Sequence, residues 1–88
     1  MTSREIKITK AVLDYLHLLE FGQATEVQIH ADAFGEKFGT PQPSAGELTA
    51  VLNECDAQRW INGVPSKFNK RVMKWNITDA GEAARLEM

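Results

Sequence analysis

Ser44-Ala45-Gly46-Glu47-Leu48-Thr49-Ala50-Val51-Leu52-Asn53-Glu54-Cys55, running on through Arg59 into Trp60-Ile61, is the stretch that decides the fold. Its first four residues match a capping box, in which the serine and glutamate side chains satisfy backbone N–H groups reciprocally at a helix start. Leu48, Val51, Leu52 and Cys55 then recur at three- and four-residue spacing, the mark of a helix with one apolar stripe. Arg59 continues that side with its aliphatic stem, so a helix is expected from Ala45 to about Arg59, giving way to an extended chain at Trp60. With the stripe turned inward, the outward arc is Gly46, Thr49, Ala50, Asn53 and Ala57, all small or polar.

Beyond this helix the pattern changes period. Arg71-Val72-Met73-Lys74-Trp75-Asn76-Ile77 alternates, with Met73, Trp75 and Ile77 on one face and Val72, Lys74 and Asn76 on the other, as a strand does. Its simplest partner is Trp60 to Val64, and Pro65 to Lys70 then makes a long hairpin loop with basic residues near its tip. Trp75 is expected to pack between hairpin and helices and to be substantially buried, and Trp60 to join it in packing the hairpin. Phe68 either lies in a partner surface or covers the hairpin, and covering is favoured. Thr78 or Asp79 caps a short last helix through about Leu86.

On the N-terminal side, Ile8, Val12, Leu16 and Leu19 define a first helix from Ser3 or Thr9 to Phe21, stopped by Gly22. Lys10, Asp14 and His17 fall opposite its apolar face. Thr25-Glu26-Val27-Gln28 is a second capping box. A helix is expected from it to about Phe34, with Val27, Ile29, Ala33 and Phe34 as apolar contacts and Gly35 as its end. Gly35 to Pro43 holds two glycines and two prolines and reads as a loop, from which Phe38 folds back as a core plug.

Eighty-eight residues with 43% hydrophobic and 25% charged content make one globular domain over residues 1–88 and exclude a disordered or fibrous chain. The single cysteine, Cys55, excludes an internal disulfide and sits on the buried stripe as a small hydrophobe. No apolar run is long enough to span a bilayer and the N-terminus leads into no signal-peptide core, so a cytoplasmic location is expected. The net charge is −2, but its distribution is uneven. Residues 11–56 hold eight acids against Lys37, whereas residues 57–78 contain Arg59, Lys67, Lys70, Arg71 and Lys74 and no acid. Half of all the basic residues thus occupy a quarter of the chain, the pattern of a surface for an anionic partner.

The order helix, helix, helix, hairpin, helix is that of a winged helix domain. Glu47 to Cys55 followed by Arg59-Trp60-Ile61 resembles a recognition helix and its exit into the wing, and Trp75-Asn76-Ile77-Thr78-Asp79-Ala80-Gly81 resembles the returning wing strand. In these places the chain is similar to winged helix-turn-helix regulators of the MarR and PadR kind, over roughly residues 24–86. The resemblance implies a mainly α fold with three helices, a two-stranded wing and a short C-terminal helix. It also implies a double-stranded DNA-binding transcriptional regulator and, since many such regulators pair through terminal helices, a homodimer. Two departures stand out: the connection of about nine residues between the second and third helices, longer than a tight helix-turn-helix turn, and the acids Glu47, Glu54 and Asp56 in the third helix.

In that role Gly46, Thr49, Ala50 and Asn53 would meet base edges, because small residues permit close approach and Asn or Thr can contact adenine edges or thymine methyls. Ser44, Lys67, Lys70, Arg71 and Lys74 would meet phosphates, which position a protein without reading sequence. Glu47 and Glu54 would either accept from cytosine or be repelled by phosphate. The alternative is a winged helix that binds a protein partner, its acidic helical half docking a basic surface. Neither His17, placed on the outer face of the first helix, nor His30 has a companion at metal-ligand spacing, so no metal and no cofactor are expected. No nucleophile, base and orienting group can be named together, and so small a core is not expected to hold a pocket, so an enzyme is not expected.

Overall fold

The computed structural model describes residues 1–19, 22–39 and 41–88. Helix α1 (Ser3–Leu18) starts at the earlier of the two expected positions. A capping box sets that start: the Thr2 hydroxyl accepts from the Glu5 N–H, and the Glu5 carboxylate accepts from the Thr2 N–H. The helix closes at Leu18 with Leu19 as its C-cap, short of the expected end at Phe21, which lies outside the described residues. The Gly22 N–H donates back to the Leu19 carbonyl at 3.0 Å.

A two-residue strand, β1 (Ala24–Thr25), precedes helix α2 (Glu26–Asp32). The Thr25 and Gln28 box caps α2 as expected, but the helix ends before Phe34, and Val27 is 78% exposed instead of packing inward. The loop after it contains a 3-10 turn, Glu36–Phe38, which returns Phe38 to the core edge-on to Phe34, with ring centroids 5.2 Å apart. The Lys7 ammonium donates to the Phe38 carbonyl and lies 4.6 Å from the centre of its ring.

Helix α3 (Ala45–Ala57) buries Leu48, Val51, Leu52 and Cys55 against Ile8, Val12, Leu13 and Leu16 of α1 and Ile29 of α2 in one core. Each fully buried Leu or Ile contributes about 1.5–3 kcal/mol relative to exposure, so this three-helix contact is the main source of stability. The helix stops at Ala57, not Arg59. Arg59 takes φ 62, a left-handed conformation costing about 1 kcal/mol for a residue with a Cβ, and its side chain is exposed, so its stem does not extend the stripe. The Arg59 and Trp60 N–H groups bond back to the Asp56 and Cys55 carbonyls at 3.0 and 2.9 Å, which ends the helix and turns the chain into β2 (Ile61–Pro65).

Strands β2 and β3 (Met73–Ile77) form the hairpin, in antiparallel register from Ile61 opposite Ile77 to Pro65 opposite Met73. Ala24 and Thr25 pair with Trp75 and Lys74 on the other side of β3. The two-stranded wing expected from sequence is present as β2 and β3, and β1 extends it to a three-stranded antiparallel sheet, ordered β1-β3-β2. Trp75 is half-buried and packs on the core, and it covers Gly63, where an added Cβ would lie 2.7 Å from its ring. Phe68 does not cover the hairpin: it is 97% exposed.

Helix α4 (Asp79–Glu87) is capped by the Thr78 hydroxyl, which accepts from the Gly81 N–H and donates to the Arg59 carbonyl at 2.6 Å. His17 faces α4 rather than open solvent, with Nδ1 2.7 Å from Glu82, and Arg85 reaches Asp14 at 3.3 Å. Among the described residues, no helix is long and apolar enough to cross a membrane.

Candidate nucleic-acid interface

The face of α3 opposite the buried stripe carries Gly46, Thr49, Ala50 and Asn53, and all four are exposed. A Cβ built on Gly46 would have a single neighbour within 4 Å, the Ser44 hydroxyl at 3.9 Å, so the first turn presents bare backbone. The Thr49 hydroxyl lies 2.9 Å from the Ala45 carbonyl and 3.1 Å from a Glu26 carboxylate oxygen, so its one proton serves the helix and α2. Ser44 is exposed; its oxygen accepts from the Glu47 N–H at 3.1 Å, which leaves its own proton to donate outward.

The acids of α3 divide into two kinds. Glu47 is turned back to the domain: Arg4 Nε donates to it at 2.6 Å and Arg4 Nη2 at 3.2 Å, while the Ser44 N–H donates at 3.1 Å. The Arg4 hydrogen bond, with the Ser44 N–H next, lowers its carboxyl pKa to about 2. Glu47 is therefore paired within the domain and does not stand as a free charge. Glu54, which accepts from Gln58 at 3.1 Å, and Asp56 are exposed in the last turns, away from the N-terminal half where the small residues lie.

The hairpin loop, residues 66–72, is organised by its own backbone. The Ser66 N–H donates to the Val72 carbonyl at 2.8 Å, the Val72 N–H to the Asn69 carbonyl at 2.9 Å, and the Arg71 N–H to the Asn69 side chain at 3.1 Å. These bonds bring Lys67, Lys70 and Arg71 together on one exposed loop. Lys74 is set apart from them, half-buried in the central strand between Thr25 and Val64. Among the described residues every salt bridge lies outside 57–78: Arg4 with Glu47, Lys10 and Arg85 with Asp14, His17 and Arg85 with Glu82. Arg59, Lys67, Lys70, Arg71 and Lys74 thus have no salt-bridge partner among the described residues. Such a surface can neutralise phosphates, while a helix face of Gly, Ala, Thr and Asn can approach base edges closely.

Arg59 also departs from expectation. Assigned to the helical stripe, it stands exposed at the helix exit, and its membership of the acid-free stretch was the signal. Elsewhere, His30 Nε2 lies 2.9 Å from the Pro43 carbonyl, and the described residues hold no group of three metal-ligating side chains. Contrary to expectation, the domain has a sizeable groove, of about 660 Å³, between α1 and the Asp32–Phe38 segment. Ala11, Tyr15, Leu18, Ala33 and Phe38 make it largely apolar, with lysines and carboxylates beside them and no histidine, cysteine or serine among its described residues.

Fold and surface together define a winged helix domain. The chain aligns over 99% of its length with apo MarR from E. coli, at a TM-score of 0.65 and 21% identity, and with a MarR variant from E. coli complexed with operator DNA, at 0.64 and 21%. The reduced form of MarR from E. coli aligns with a TM-score of 0.62 and 18% identity. The fold is thus a winged helix of the MarR kind, mainly α with a small antiparallel sheet. The chain spans about half of the MarR chains it matches, 52–54% of their length. Neither a protein-family model nor a curated protein sequence matches it.

Proposed function

We propose that the chain is the double-stranded DNA-binding domain of a cytoplasmic transcriptional regulator without enzymatic activity. In this reading α3 enters the major groove with Gly46, Thr49, Ala50 and Asn53 at base edges. Ser44, Lys67, Lys70 and Arg71 grip the flanking phosphates, and Lys74 makes a weaker, more distant contribution from the sheet. A homodimer sets two such domains on two half-sites. The observation that carries the reading is the segregation of charge: the five cations of 57–78 have no salt-bridge partner among the described residues, while Glu47, the acid in the first turn of α3, is paired with Arg4. The operator DNA bound in one of the MarR structures of the same fold supports it further.

The test is binding to a pool of random duplexes with selection of the retained sequences. A selected site is expected to emerge, and Asn53→Ala should cost about 1–3 kcal/mol on that site and almost nothing on random duplex. Equal losses on both would remove Asn53 from base readout. Failure of the wild type to bind any duplex would give first place to a protein-binding winged helix.

A further inference from the structure

Phe68 is the feature that the fold does not use. Every other aromatic residue among those described is buried or half-buried, whereas Phe68 stands 97% exposed in the loop between β2 and β3. Its position is not that of a slack loop. The Phe68 N–H donates to the Ser66 hydroxyl at 3.4 Å, Ser66 is itself buried, and the Ser66 N–H closes the loop on the Val72 carbonyl at 2.8 Å. These bonds order the loop backbone that carries the ring, which lowers the ordering cost of binding.

The surroundings of the ring limit what can receive it. Lys67 precedes it, Lys70 and Arg71 follow it, and no acid lies between residues 57 and 78. Cations on both sides of the ring in sequence favour a partner that offers an apolar slot bordered by anions. A membrane surface takes up many apolar groups over the breadth of an amphipathic helix, and one ring offers little to it. A duplex base step fits a single ring: stacked bases provide the apolar slot, and the two phosphate backbones border it.

The geometry points to Phe68 as a wedge that inserts between two base pairs from the minor groove, partly unstacking and kinking the duplex beside the site held by α3. This rests on the DNA-binding reading above. Wedges of this type kink DNA by about 20–90°, and pyrimidine–purine steps yield most easily. Phe68 would then confer a preference for such a step without a hydrogen bond to any base.

The experiment measures affinity and bend angle on one selected duplex, labelled at both ends for energy transfer and carrying 2-aminopurine at the candidate step. The wild type should bend the duplex and brighten the 2-aminopurine. Phe68→Ala should lower affinity about tenfold, the size of a lost base–aromatic stack, and abolish both signals. It should leave the unfolding midpoint and the salt dependence of binding as they are. Phe68→Leu should restore most of the bend, because leucine also serves as a wedge. Binding by the wild type without a bend, or an equal bend by Phe68→Ala, overturns the wedge and leaves DNA binding standing. No duplex binding at all overturns both. Phe68-dependent binding to phosphatidylserine vesicles without a DNA bend would assign the ring to a membrane surface instead.

Discussion

Arg4, in the first turn of α1, donates from Nε to Glu47 Oε2 at 2.6 Å and so ties that turn to the first turn of α3, forty-three residues later. Glu47 is at once the closing member of the Ser44 capping box and the anchor of this cross-link. Its carboxyl pKa, lowered to about 2 by Arg4 and the Ser44 N–H, lies below the unfolded value of about 4.3. A depressed carboxyl pKa contributes stability that is complete above the unfolded value and is lost as pH falls through the folded one. The urea midpoint of the wild type should exceed that of Glu47→Gln by a constant amount above about pH 5. The gap should close between about pH 4.5 and 2. A gap that does not change with pH would show that the charge of Glu47 plays no part.

Gly81 lies under the turn that leaves α3. A Cβ there would stand 2.1 Å from the Trp60 carbonyl oxygen and 2.8 Å from Ile77, and the carbonyl is backbone that cannot swing away. Gly81→Ala, although it places a better helix former in α4, should destabilise the domain by about 3 kcal/mol through overpacking. Equilibrium unfolding in urea measures it. A loss under about 1 kcal/mol would mean that α4 does not seat against this turn.

Gly46 offers the opposite case. An added Cβ meets only the Ser44 hydroxyl, at an unstrained 3.9 Å, so Gly46→Ala should stabilise α3 by about 0.5 kcal/mol. If α3 enters the groove along this turn, the same methyl should weaken binding to a selected duplex. Affinity and unfolding midpoint, measured on the same preparation, should therefore move in opposite directions. A stabilised variant with undiminished affinity would place the DNA away from this turn.

Cys55 is fully buried, and burial pushes its thiol up to about 11. The thiolate is the reactive form, so alkylation at pH 7 should be slow and should speed up only as urea opens the core. Rapid labelling of the native protein would contradict the inward orientation of the α3 stripe.

The elements that sequence made legible are those with a repeating signal. The Thr25–Gln28 and Ser44–Glu47 boxes start α2 and α3 as read, and the alternation from Met73 to Ile77 is a strand. Two-residue β1 escaped because alternation cannot be recognised over two positions, and its pairing with Trp75 and Lys74 is set by distant residues. Val27 fits an apolar helical pattern, yet α2 is only two turns long and buries Ile29 alone among its residues. Arg59 continues the three- and four-residue spacing beyond the point where a left-handed residue breaks it, and nothing in an arginine announces a positive φ. At the candidate interface, the exposure of Gly46, Thr49, Ala50 and Asn53 followed directly from the stripe behind them. The neutralisation of Glu47 did not, because its partner is a contact between distant parts of the chain. Nor did the exposure of Phe68, which depends on how the hairpin loop folds on its own carbonyls.

The central claim is that the cations of the wing hold DNA phosphates, and the salt dependence of duplex binding tests it most directly. Each neutralised phosphate releases counterion and adds roughly −0.9 to the slope of log affinity against log salt concentration. Three contacts per domain give a slope of about −3, and Lys70→Gln combined with Arg71→Gln should flatten it by about 2 while weakening selected and random duplexes alike. An unchanged slope and affinity in the double variant would contradict the account.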